Sequence, residues 1–443
     1  MRILKPLQRF LQNESAGGIV LIIMALAALV ISNTGLSRFY FDFLNTNVSF
    51  EVSKFIHLNK PVILWVNDGA MALFFLLVGL EIKRELIAGE LNTKDKFILP
   101  LAAALGGMVI PAMLYVLMNL GGEGIHGWGI PMATDIAFAI GILILLGKRI
   151  PLSLKVFLVA LAIVDDIGAI LVIAIFYTSQ ISLQWLIVAA ILTVILLSFN
   201  LLRIIRPWMY LIVGFLLWYA MLKSGVHATI AGVILAFTIP ARPRIRPGLF
   251  VRFMERSLSR FKGSCRVDVE FLANQHQQEN VQEMEISCHK LLSPLLRLEH
   301  ALHPFVSFFI LPLFAFCNAG LIIGGDWLVN LSSASSLGIA LGLVIGKPLG
   351  IVLFTYVAVR LKWAVLPYDL SFKHILGVGF LAGVGFTMAL FINGLAFSNP
   401  AFIDINKMAI FISSLIAGIT GYIILSRLAK IDIMQIDEHN NEE

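Results

Sequence analysis

The sequence predicts an all-α polytopic membrane protein of twelve transmembrane helices. Segments 3–5 and 10–12 read as inverted-topology repeats, with segments 4 and 11 broken, and a short β-hairpin lies on the outer side. Three observations lead there. First, 59% of the 443 residues are hydrophobic and only 14% are charged, with a mean hydropathy of +0.90. Soluble domains carry about 25% charged residues, so this much apolar sequence needs a bilayer. Second, with the N-terminus inside, the inner loops hold about 27 of the 33 Lys and Arg residues and the outer loops about five, leaving Lys347 in the membrane. A miscounted helix would scramble that asymmetry. Third, the middle member of each triplet is interrupted, segment 4 by Pro131, Thr134 and Asp135 and segment 11 by Gly377, Gly379, Gly383 and Gly385. Matching interruptions in two halves are the mark of an inverted-repeat transporter. Glycine that only permits close helix packing is the plainer reading of segment 11 alone.

In order, residues 1–14 are polar and are expected along the inner surface. The expected segments are 17–33, 62–82, 96–120, 130–147, 151–177, 183–202, 207–222, 225–240, 302–323, 336–358, 374–396 and 403–426. The first apolar run lacks a small-residue cleavage pattern and reads as a membrane helix, not a removable signal. Between the first two segments ValSerPheGluVal alternates, and PheIleHisLeu answers it as a hairpin strand. The whole chain, 1–443, reads as one transmembrane domain, with 243–294 an extended cytoplasmic loop inserted in it. In that loop Phe250, Phe253 and Phe261 fall on one helical face and Arg252, Arg256 and Arg260 on another, a pattern suited to anionic lipid or to a plain solvated helix. The polar run AsnGlnHisGlnGlnGluAsn reads as flexible. Three cysteines, Cys265, Cys288 and Cys317, lack metal-ligand spacing, and the first two are expected as reduced cytoplasmic thiols. The net charge of +6 gives no basic face, which excludes nucleic acid as a partner.

The chemistry concentrates between Pro131 and Ile170. Asp135, Asp165 and Asp166 sit in segments otherwise apolar enough to span, where each charge costs roughly 2.5–3.5 kcal/mol. They must be protonated, or face water, a cation or each other. Adjacent on a helix, Asp165 and Asp166 point about 100° apart and serve different tasks. Lys347 is the natural counter-charge for Asp165, either as a permanent lock or as a pair that opens. Asp166, with Asp135 and Thr134, offers the oxygens that Na⁺ or Li⁺ requires, and the same oxygens bind protons. Asp135 serves equally well as a cap for half-helix dipoles. Glu81, Arg84, Glu85, Glu299, His300 and His303 gather at the inner mouth, with His227 at the outer side. They form a candidate pH-responsive group or ordinary interfacial polarity. No enzyme signature competes: an intramembrane aspartyl protease would need a Gly-x-Gly-Asp pattern that is absent. A channel needs neither a buried lysine–acid pair nor broken repeats. A solute–sodium symporter would need an organic-substrate pocket.

Seven stretches now carry a resemblance. MetAlaThrAspIleAlaPheAla, LeuAlaIleValAspAspIleGlyAlaIle, ValGlyLeuGluIleLysArgGluLeu, LysSerGlyValHisAlaThr, LeuGluHisAlaLeuHisPro, IleGlyLysProLeuGly and GlyValGlyPheThrMetAlaLeuPheIle together resemble the bacterial NhaA-type Na⁺/H⁺ antiporters. That family is itself a named example of the inverted-repeat principle. The resemblance implies an electrogenic exchanger in the bacterial inner membrane, both termini cytoplasmic. It would extrude Na⁺ or Li⁺ for a larger number of protons, and so regulate cytoplasmic pH and sodium. It implies no cofactor beyond the transported ions. It makes Asp166 the main cation and proton carboxylate, Asp165 the partner of Lys347, and Asp135 and Thr134 the broken-helix group. Glu81, Arg84, Glu85, Glu299, His300 and His303 match the pH-response region, His227 the outer histidine, and the hairpin near 46–58 a homodimer contact. Two departures stand out: the long loop, and Leu296 where the family often carries lysine.

Overall fold

The computed structural model describes residues 14–442 except 53–55, 90–91, 93, 179–180, 203, 243–244, 246, 264–274 and 325–330. The expectations for residues 1–13 and for Cys265 lie outside the described residues.

The chain is mostly helical. In order come α1 (Glu14–Ser32), α2 (Ser37–Asn45), β1 (Asn47–Val52), β2 (Ile56–Pro61), α3 (Val62–Ala88), α4 (Lys94–Met118) and a 3₁₀ run, Glu123–Met132. Then follow α5 (Ile136–Leu145), α6 (Leu152–Phe176), α7 (Leu183–Leu201), α8 (Pro207–Ser224), α9 (Ile230–Thr238), α10 (Pro247–Gly263) and α11 (Gln275–Leu291). The last are α12 (Pro294–Ala319), α13 (Ala334–Arg360), α14 (Phe372–Ala382), α15 (Phe386–Ala396) and α16 (Pro400–Glu442). Among the described residues seven helices are long and apolar enough to cross a membrane, or up to ten if each bent pair counts as one. The expected segments 207–222 and 225–240 are not among them. α8 is 18 residues long and carries Lys223 in its last turn. α9 has only nine residues, about 14 Å at 1.5 Å per residue, against a hydrocarbon core of about 30 Å. Gly225 ends α8 in the left-handed region at φ 84°, and residues 226–229 form a turn before α9 starts.

Other boundaries move for local reasons. α12 begins at Pro294, well before the expected 302, because Ser293 Oγ caps the Leu296 amide at 3.3 Å and Pro294 occupies the first helical position. The stretch from Gln275 onward is helical, a correction to its reading as flexible. The expected hairpin forms in antiparallel register, Phe50 opposite Leu58 and Glu51 opposite His57, with the Glu51–His57 pair at 2.7 Å.

Large apolar side chains stay uncovered along α7, for example Ile191, Val194 and Leu197, a face that only lipid can solvate cheaply. The opposite extreme is the α4–α13 crossing. Gly106 and Gly350 bring the two backbones so close that a Cβ on either would strike the carbonyl of the other. This crossing holds the Lys347-bearing helix against α4. It leaves room for α6 with its aspartates, which also packs on α4.

Candidate functional site

The site begins with two breaks that meet. The 3₁₀ run and α5 are bent by 41°, with Ala133–Asp135 extended between them. Pro131 lacks an amide hydrogen and disfavours helix in the residue before it, so the run cannot continue as a regular α-helix. α14 and α15 are bent by 50°, with Gly383, Val384 and Gly385 between them. A Cβ on Gly383 would strike the Leu343 carbonyl, which requires glycine, and one on Gly385 would stand 3.1 Å from the Ala133 carbonyl, a tight contact. The Asp135 amide donates to the Val384 carbonyl at 2.7 Å, so each break satisfies a main-chain group of the other.

Asp135 then ties two half-helices together. Its Oδ1 accepts from the Phe138 amide at 3.1 Å, capping α5. Its Oδ2 accepts from the Thr387 amide at 3.1 Å and from Thr387 Oγ1. A carboxylate at two helix N-termini offsets the positive ends of both dipoles. Sequence reasoning offered cation ligation and capping for Asp135, and the observed hydrogen bonds are those of a cap. Thr387 was missed. The signal was present, since PheThr follows the segment 11 glycines much as ThrAsp follows Pro131.

α6 supplies the adjacent pair, and it points them apart. Asp165 Oδ2 accepts from Lys347 Nζ at 2.7 Å and from Thr134 Oγ1 at 2.6 Å. Lys347 also donates to the Met132 carbonyl, and a π-helical turn, Gly342–Gly346, precedes it on α13. Lys347 is fully buried and Asp165 nearly so, so each charge is desolvated and depends on the other. Thr134 Oγ1 also lies 2.9 Å from the Ala382 carbonyl; its single proton can serve only one of the two acceptors. Thr134 thus stands beside Asp165, not beside Asp166 as expected.

Asp166 is equally buried, yet its Oδ2 has no hydrogen-bond partner among the described residues, and neither has Asp165 Oδ1. The negative charges acting on Asp166 are Asp165, Glu81 and Asp135; Lys347 is the positive one. A buried carboxylate oxygen without a donor is a group that a small hard cation or a proton would satisfy. Among the described residues no group of three or more His, Cys, Asp or Glu could hold a resident metal ion.

Apart from these groups, Arg84 of α3 pairs with the buried Glu299 of α12 and, at 2.9 Å, with Glu85. Among the described residues Glu299 Oε2 has no hydrogen-bond partner, while His300 and His303 are exposed beside it. Glu81 is half-buried one turn earlier on α3. His227 Nε2 lies 2.6 Å from the Tyr177 carbonyl, between α6 and α9 and apart from the aspartates. Glu81 acts on both Asp166 and Arg84, so α3 carries a charge between the buried aspartates and the Arg84–Glu299 pair.

The model of the family described as Na⁺/H⁺ antiporter 1 matches residues 8–425. The chain belongs to that family. A Na⁺/H⁺ antiporter NhaA of Oleidesulfovibrio alaskensis is 46% identical over 429 residues, covering 97% of this chain and 95% of the relative. A Na⁺/H⁺ antiporter NhaA 1 of Klebsiella pneumoniae is 46% identical over 425 residues, 95% of this chain and 96% of the relative. A third, from Wolinella succinogenes, is 44% identical over 420 residues, 95% and 92% of the two chains. For this Na⁺/H⁺ antiporter family member the similarity spans both helix breaks, the Asp165–Asp166 pair and Lys347.

Proposed function

We infer that the protein exchanges Na⁺ for H⁺ across a membrane. The family description and the names of the relatives carry sodium–proton antiport to this chain. The observation that supports the site assignment is the buried Asp166 oxygen without a donor, next to Asp165 held by Lys347.

Sodium needs oxygens with no hydrogen in the way, and Asp166 Oδ2 with Asp165 Oδ1 supplies two. A proton on either carboxylate removes an anionic oxygen, so proton and cation exclude each other. Loading one from a given side expels the other to that side, which is exchange. Two titratable carboxylates face one cation site, so more protons than cations return and the cycle moves net charge. Li⁺, smaller and equally hard, suits the same oxygens. Protonation of Asp165 would loosen its bond to Lys347, giving the pair a switching role beyond that of a lock.

The remaining assignments rest on charge distribution and resemblance. They are twelve spans with both ends inside, inverted repeats over segments 3–5 and 10–12, the bacterial inner membrane, and a homodimer through the outer hairpin. Glu81, Arg84, Glu85, Glu299, His300 and His303 are assigned to the response to cytoplasmic pH, with Arg84–Glu299 as its joint between α3 and α12.

Everted vesicles carrying the protein test this reading. After acid loading, added Na⁺ should raise internal pH, and Asp166→Asn should abolish the response with the protein still folded. Normal exchange by Asp166→Asn would remove Asp166 from the mechanism. No Na⁺ response from the unaltered protein would remove the function itself.

A further inference from the structure

Between α9 and α12 the chain leaves the bundle to form α10 and α11, which take no part in the ion site. The two helices pack on each other, and Arg260 stands 3.5 Å from Glu283. On α10 Phe250, Met254 and Phe261 are half-buried and Ser257 is buried. Their spacing of four, three and four residues makes one helical stripe, which α11 covers. A neighbouring sector stays open. Leu249 and Phe253 are 49% and 48% exposed there, among the exposed Arg252, Arg256 and Arg260, so Phe253 shares the arginine sector and not, as expected, the face of Phe250 and Phe261. At 100° per residue these five side chains fall within a sector of about 100°. Glu255, the acid of α10, lies outside that sector, and of the α11 acids Glu283 reaches its edge at Arg260. An apolar pair framed by three arginines is poorly suited to water and well suited to an anionic interface. The tethers keep it near one. Residues 239–246 separate α9 from α10, and only residues 292 and 293 separate α11 from α12.

We propose that this face of α10, with Arg252, Arg256 and Arg260 on phosphate groups and Leu249 and Phe253 among acyl chains, binds the anionic lipid surface of the membrane in which the protein sits. The hairpin is then a lipid-sensing attachment, separate from the exchange reaction. Each arginine near an anionic surface multiplies partitioning by roughly five, so losing three lowers the bound-to-free ratio by on the order of a hundredfold.

The test labels the full chain with a nitroxide at Leu249→Cys, in a background carrying Cys265→Ser, Cys288→Ser and Cys317→Ala. The protein is reconstituted in phosphatidylcholine with or without phosphatidylglycerol. Accessibility to oxygen and to a water-soluble nickel chelate reports whether the label sits in lipid or water. With phosphatidylglycerol the label should turn oxygen-accessible and chelate-protected. A second label at Val281→Cys on α11 should stay aqueous. Arg252→Gln, Arg256→Gln and Arg260→Gln together should return the first label to water. High salt should do the same to the chain with its arginines intact, whatever the folding of the triple variant. The proposal is overturned by a label that is aqueous in both lipids or equally protected in both. It is also overturned by protection that tracks protein concentration at constant lipid composition, which would assign the face to a second copy.

Discussion

At the scale of single residues, the site rests on which carboxylate oxygens have donors. Asp165 Oδ2 has two and Asp135 has three hydrogen bonds, while Asp166 Oδ2 has none. Their different partners give three similar side chains three tasks. Lys347→Ala leaves Asp165 charged, buried and without its cation, a loss of about 3–5 kcal/mol that should appear as a lower Tm in detergent. Lys347→Met combined with Asp165→Asn should recover most of that loss, because no buried charge remains unpaired. If the double variant is no more stable than Lys347→Ala, the pair is not what holds the helices. Thr387→Val removes the hydroxyl donor to Asp135 Oδ2 and keeps the amide donor. It should cost about 1–3 kcal/mol and weaken Na⁺-driven exchange, and Thr387→Ser should restore both. Equal thermal stability and transport in Thr387→Val would assign that bond no role.

Elements come next, because helices deliver these side chains. The two bent helix pairs fall where proline, glycine and polar residues interrupt apolar sequence. Their contact was not legible there, since the Asp135 amide reaches the Val384 carbonyl across nearly 250 residues of intervening chain. α9 shows a similar limit. Its apolar composition reads as a span, but its helix is short, and its terminal carbonyls are satisfied by side chains from elsewhere. Lys83 donates to the carbonyls of Phe237 and Ile239 at 2.6 and 2.5 Å, and Asn200 to that of Thr238 at 2.6 Å. Lys83→Met should therefore expose the end of α9 to faster hydrogen exchange at residues 236–239 while α3 itself stays protected. At the α4–α13 crossing, Gly106→Ala forces a methyl against the Gly350 carbonyl, with an overpacking cost of about 1–3 kcal/mol or more. Thermal unfolding of the purified variant checks it, and an unchanged Tm would mean the helices can part without penalty.

Across the whole molecule, the buried aspartates and the inner mouth are joined through α3, which carries both Glu81 and Arg84. Arg84→Gln leaves Glu299 buried without its partner while sparing every group around Asp166. A shifted pH profile of vesicle exchange, with Na⁺ affinity at the plateau pH unchanged, is the expected outcome. A changed affinity with an unmoved profile would place Arg84 in the ion path instead. Composition was enough to indicate a mostly helical chain with several apolar spans, and a few polar residues in apolar runs singled out the acids and the lysine that the structure buries. Those features are local, since bilayer partitioning and helix breaking act over a few turns of chain. Tertiary structure alone decided that Thr134 joins Asp165, that Thr387 secures Asp135 and that Asp166 keeps an oxygen without a donor. Which buried acid remains available to an ion depends on the donors that distant helices bring to it, and side-chain spacing along one chain does not encode those distances.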